Sequence, residues 1–344
     1  MVGVDFHQLL TFEPQHHWGV GVAIYLFLGG LGGAMVLLAV ANKMLLKRDD
    51  PSLYAWSTIL GIVLVNFGAL FLLMDMFIWD SFWHGHIFEI LKVVYATFGA
   101  ALFNGNLHPW IQIGALTVGI SSALGILWAL TMADRAAILK NIPIIVKLGQ
   151  ALKPFENLLG WVLLAFSTVL AFYTGFLLSV APSIPSWSHP LLPVLFFISA
   201  LSTGTAWYML WTYFAKGRDE QTQRVREKIA YQVEWGDIVL IGLELLAILA
   251  YFNYLYYANA GGKYVFDLMT SDVGFIGLFL VLGLIVPWLL ELFVAVKHSY
   301  RFLIPLAAIL VLFGGFLLRY YITEYTPTLG LLKFFFISFF VLWI

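Results

Sequence analysis

The chain has 344 residues, of which 62% are hydrophobic and only 11% charged, with a mean hydropathy of +0.91 and a formal net charge of −1. A soluble domain is typically about half apolar and about one quarter charged, so the composition excludes a soluble protein, and the near-neutral charge gives no basis for nucleic-acid binding. With no cysteine, the protein cannot ligate an iron–sulfur cluster through thiolates, attach a c-type haem or close a disulfide.

A helix needs roughly 20 apolar residues at about 1.5 Å each to cross the hydrocarbon core. Residues 1–17 hold no Lys or Arg and no cleavable signal pattern, so the first helix is expected to act as the insertion signal. Spans are predicted over 18–42, 54–78, 108–132, 157–181, 190–214, 235–258, 273–296 and 302–322. The segment 327–344 is apolar except for Lys333 and is long enough for a ninth C-terminal helix, or otherwise a membrane-associated tail. The whole of 1–344 reads as a single integral membrane domain with its core in 18–322. Two stretches fit poorly as spans. In 82–107 the uninterrupted apolar run is only Val93–Phe103, better suited to an interfacial or re-entrant helix. Residues 136–155 alternate apolar positions with lysines and contain Pro143 and Pro154, which also suggests an interfacial segment.

Charge placement supports eight spans. The loops at 43–53, 133–156, 215–234 and 297–301 hold three, four, five and two Lys/Arg. The opposite side has Lys92 and Lys263, with Lys333 in the tail and Arg319 inside a span. The positive-inside rule then puts the basic loops in the cytoplasm and the N-terminus outside, in the inner (cytoplasmic) membrane of a cell. Counting 82–107 as a span would move most of those basic residues to the exterior.

Three blocks carry a family resemblance: WGVGVAIYLFLGGLGGA (18–34), YTGFLLSVAPSIPSWSHPLLPVLFFISALSTGTA (173–206), and GLIVPWLLELF with VLFGGFLLRYYI (283–293 and 311–322). In order and spacing they resemble the NrfD/PsrC family, the polysulfide-reductase-type membrane subunits of respiratory complexes. The resemblance implies an all-α polytopic fold of eight core helices in two four-helix bundles. It also implies a quinone site, of menaquinone type, near the outer surface. There an iron–sulfur electron-transfer subunit would dock and relay electrons to or from a molybdopterin or cytochrome catalytic subunit. No haem or iron–sulfur cluster is expected in this chain. The stretch LLMDMFIWDSFWHGHIF keeps Asp75 but lacks the family's Arg-Pro, and Tyr25 stands where some members have histidine.

Within that frame Tyr25, Asp75 and Tyr173 fall at one depth near the outer end of three different spans. A quinone carbonyl needs a hydrogen-bond donor and its reduction needs a proton source, which phenol and carboxyl groups provide. Tyr173 also suits an aromatic belt, and Asp75 near a helix end can simply face headgroups. Arg319 can orient a quinone headgroup, pair with Asp75, or snorkel to the interface. Glu244 falls near mid-membrane, where a carboxyl either carries protons or is held protonated against a neighbouring helix. Glu291, nearer the cytoplasmic end, reads as solvated or as part of the same proton path. The glycines at 29–33 and 314–315 read mainly as close-packing positions. All eight histidines fall at span ends or in loops, which argues against a di-haem cytochrome. His84 and His86 read as interfacial rather than metal-binding, so no metal site is assigned. Trp18, Trp79, Trp83, Trp110 and Trp187 read as interface anchors. The resulting expectation is a quinone- or quinol-interacting membrane subunit, incomplete as an enzyme by itself. The alternative is a proton- or ion-translocating subunit or transporter without quinone chemistry, in which broken helices and buried charges would do the work.

Overall fold

The computed structural model describes residues 12–14, 19–74, 92, 110–181, 184, 186–215, 220–297, 300–324 and 327–329. Eight helices among them are long and apolar enough to cross a membrane. In chain order the helices are α1 (Val20–Met44), α2 (Pro51–Leu73), α3 (Trp110–Leu130), the short α4 (Pro143–Leu152), α5 (Glu156–Ser179) and α6 (Leu192–Phe214). They continue with α7 (Glu220–Ala258), α8 (Ala260–Ser271), a π-helical stretch Phe275–Ile285 running into α9 (Val286–Lys297), and α10 (Ile304–Glu324). Two three-residue strands, β1 (Phe12–Pro14) and β2 (Pro327–Leu329), pair antiparallel with Phe12 opposite Leu329. Residues 327–329, the first of the 327–344 segment expected as a ninth helix or tail, are therefore extended, and 330–344 lie outside the described residues.

α1 is the central helix, the most completely buried of the eight. It packs on α2, α5, α6 and α10. Small residues permit this. Gly32 of α1 and Gly61 of α2 face each other backbone to backbone, and a Cβ on Gly61 would lie 2.7 Å from the Gly32 carbonyl oxygen. Gly314 of α10 meets Gly283 in the same way. Between apolar helices in lipid, such close approach supplies the dispersion contacts that hydrophobicity cannot. The remaining neighbours run α2–α3, α3–α5, α5–α6, α6–α7, α6–α10, α7–α9 and α9–α10.

Several boundaries differ from those predicted. α2 starts at Pro51 because Asp50 caps it, its carboxylate accepting the Leu53 N–H at 3.1 Å with Pro at the first helical position. α7 starts at Glu220 rather than 235. Its first turns are charged but helix-favouring, and Arg226, Ile229, Ala230 and Val233 give them a buried stripe. The Arg226 guanidinium grips Asp50 at 2.6 Å, both side chains buried, and fastens α7 to the start of α2. The stretch between the predicted spans 235–258 and 273–296 is the helix α8, capped by Asn259, whose side chain accepts the Gly262 N–H at 2.7 Å. The segment 136–155 contains a 3-10 turn and α4, with Ile144 and Leu148 exposed, in keeping with an interfacial segment.

Candidate functional site

Tyr25 lies five residues after the start of α1 and Tyr173 six before the end of α5, so they sit about 7.5 and 9 Å below the same end of the helices. Both are buried inside the protein, at 3% and 2% exposure. That overturns the aromatic-belt reading of Tyr173, since a belt side chain faces headgroups. The two hydroxyls are electrostatic neighbours, yet among the described residues Tyr173 Oη makes no hydrogen bond of good geometry, and neither does Thr174 Oγ1 beside it in sequence. With Tyr25 as its hydroxyl neighbour among the described residues and the geometry poor, the Tyr173 hydroxyl has most of a hydrogen bond, about 0.5–1.5 kcal/mol, to gain from a better-placed acceptor. The Tyr173 ring lies over Gly114 of α3, where any Cβ would collide with its Cζ and Oη. Gly114 carried no signal in the sequence by itself. Asp75, the third member of the predicted site, lies outside the described residues, as do His84, His86, Trp79 and Trp83.

Arg319 neither snorkels nor reaches the surface. It is fully buried, and its guanidinium donates to Leu26 O at 3.2 Å, Gly315 O at 2.6 Å, Phe196 O at 3.3 Å and Ser199 Oγ at 3.1 Å. Gly30 makes room for it, because a Cβ there would stand 2.9 Å from Nη2. The residue bonded to Arg319, Leu26, is next to Tyr25 in sequence, so the cation ends one residue from the phenol pair. Ser199 also lies beside the Glu244 carboxyl, and Glu244 is the acidic group whose field reaches Arg319.

Glu291 is likewise not solvated. At 4% exposure it is buried, and its carboxyl group meets that of Asp237 on α7. Asp237, absent from the predicted site, is fully buried and accepts the Thr205 hydroxyl at 2.7 Å on Oδ1. Asp237 Oδ2, both Glu291 oxygens and Glu244 Oε1 have no donor of good geometry among the described residues. Glu234, on the same face of α7, neighbours Glu291 and lines a cleft of about 240 Å³ with Arg226, Glu227, Arg301, Met209 and Thr212. Sequence spacing held this pattern: Glu234, Asp237 and Glu244 lie on one face of a helix, and Ser199, Ser202 and Thr205 repeat every three residues on α6.

At the tyrosine end the turn after α5 is packed inward. Trp187 is buried and donates Nε1–H to Ile322 O at 2.8 Å, so it is not an interface anchor. Tyr251 donates to Ser186 O at 2.9 Å. His189 Nδ1 accepts the Leu191 N–H at 2.9 Å, and burial pushes the imidazole pKa down.

The helices and their interior define a multi-pass membrane protein whose spans enclose a seam of ionisable side chains, with a phenol pair near one end. The family described as "Polysulphide reductase, NrfD" matches residues 9–326, and the chain belongs to that family. It is 27% identical over 335 residues to "Protein NrfD homolog" of Haemophilus influenzae, covering 93% of this chain and 95% of that protein. It is 26% identical over 316 residues to the C subunit of the polysulfide reductase of Wolinella succinogenes, covering 89% and 92%. Over 235 residues it is 25% identical to "Protein NrfD" of Escherichia coli, covering 65% and 69%.

Proposed function

We propose that this protein is the quinone-reacting membrane subunit of a respiratory oxidoreductase complex. The observation that carries the reading is the Tyr173 hydroxyl: buried, without a hydrogen-bond partner of good geometry among the described residues, and beside the hydroxyl of Tyr25. A quinone supplies reversible two-electron, two-proton chemistry with carbonyl oxygens that accept hydrogen bonds. Tyr173 would donate to such an oxygen, and Tyr25 would hold the Tyr173 phenol in place. Asp75 is assigned the role of proton donor at the same site. Arg319, one residue from Tyr25 through Leu26, adds a fixed positive charge that favours electron density near the phenols. Glu244 and Glu291 are assigned to the path by which protons move between this site and the opposite side.

The basic loops favour an inner-membrane protein with its N-terminus outside, which puts the phenol end at the outer surface. The quinone is taken to be of menaquinone type. An iron–sulfur subunit, itself joined to a molybdopterin or cytochrome subunit, would dock there, because this cysteine-free chain needs an external electron carrier. The reading of the helices as two four-helix bundles takes α1, α2, α3 and α5 as one and α6, α7, α9 and α10 as the other, joined where α1 and α5 pack on α6 and α1 on α10.

The test is quinone-analogue turnover by the purified complex. Tyr173→Phe removes one hydrogen bond to a carbonyl that gains negative charge, about 1.5–3 kcal/mol, so kcat/KM should fall roughly 10- to 100-fold. Unchanged kinetics in an intact complex would remove Tyr173 from the site.

A further inference from the structure

Inside the span, Asp237 and Glu291 present facing carboxyl groups, with no cation in contact among the described residues and three oxygens without donors. Ionised carboxylates only accept hydrogen bonds, and two of them in contact at low dielectric repel strongly. One proton between them resolves both problems: one carboxyl becomes an O–H donor to the other. Thr205 already occupies Asp237 Oδ1 at 2.7 Å, leaving Oδ2 as the atom free to face Glu291.

We propose that Asp237 and Glu291 hold a single shared proton and form the relay station between the cleft at Glu234 and the interior carboxyl of Glu244. The destination of the relay rests on the quinone reading above; the shared proton does not. On one side, the cleft of about 240 Å³ is large enough to admit water, and Glu234 both lines it and neighbours Glu291. On the other side, Glu244 stands seven residues beyond Asp237, about 10 Å along the same face of α7. From there Ser199 and Arg319 complete the line to Leu26 and Tyr25. With the shared proton in place, one Glu291 oxygen still lacks a donor of good geometry among the described residues, which a purely structural pair would have satisfied. In the transfer, Glu291 takes a proton from Glu234, which is reprotonated from the cleft, as Asp237 releases one toward Glu244, which passes it onward; the pair is back at one shared proton and no electrons move. The groups facing the pair are Thr205 and Ser202 from α6 and Glu234 and Glu244 from α7, with Arg319 from α10 beyond Glu244.

The test uses the whole complex in liposomes with a soluble quinone analogue, read by infrared difference spectroscopy and by a pH dye inside the vesicles. Asp237→Asn and Glu291→Gln should each abolish the same protonated-carboxyl band and net proton movement. Thr205→Val, which changes no charge, should shift that band and guards against a folding artefact. Survival of the band in either charge variant overturns the shared proton, and proton movement that persists in both overturns the relay. A wild-type complex that shows the band but does not turn over the analogue would refute the quinone reading and leave the proton pair standing.

Discussion

Replacing Arg319 probes the interior most sharply. Its guanidinium makes four hydrogen bonds, to Leu26, Gly315, Phe196 and Ser199, from a side chain with no exposed surface. The three carbonyl acceptors belong to helices and keep backbone partners, so losing the arginine leaves them only partly unsatisfied. The larger loss is electrostatic, because the charge field around Glu244 would lose its cation. Hydrogen bonds from a charged donor are worth about 1.5–3 kcal/mol, and Arg319→Gln should destabilise by about that amount. Adding Glu244→Gln should recover about 1–3 kcal/mol, the coupling between the two charges. The assay is chemical unfolding in detergent micelles, followed by tryptophan fluorescence, for the two single variants and the double variant. Additivity of the two substitutions to within about 0.5 kcal/mol would show that the charges do not interact and would refute the reasoning. Gly30→Val, whose side chain would press on Nη2, should destabilise in the same direction while leaving both charges in place.

Gly114→Ala should displace the Tyr173 phenol, since the new Cβ falls on its ring. Quinone-analogue kcat/KM should drop by roughly 100-fold for a displacement of about 1 Å, while the complex still assembles on a sizing column. Asp50→Asn breaks the buried pair with Arg226 and should cost about 3–5 kcal/mol in the same unfolding assay. For His189, burial lowers the folded-state pKa below the unfolded value, so the unfolded state binds the proton first. Stability should therefore be full above about pH 6.5 and fall as the pH drops toward the folded-state value, and a His189→Asn variant should lose that dependence.

Hydropathy made the eight spans legible, because the hydrocarbon core sets a length that few other constraints mimic. Counting residues from span ends also brought Tyr25 and Tyr173 to one depth. Hydropathy does not reveal which face of an all-apolar helix turns inward, and this is why solvation of Glu291 and snorkelling of Arg319 do not hold. Snorkelling and solvation are properties of outward faces, whereas both side chains point into the protein. Asp237 was missed for a different reason. A span beginning at 235 leaves Asp237 at its end, but α7 begins at Glu220, which places Asp237 well inside a continuous helix. The charged residues of 220–234 disguised that continuation as a loop. The Tyr173–Gly114 contact joins residues 59 positions apart, and no local pattern specifies it.

The most direct measurement is photo-labelling of the intact complex with an azido-quinone, followed by peptide mapping. The account predicts label on the peptides of α1 around Tyr25 and of α5 around Tyr173, competed away by unlabelled quinone. Competable label confined to other helices, with none on these two, would contradict it.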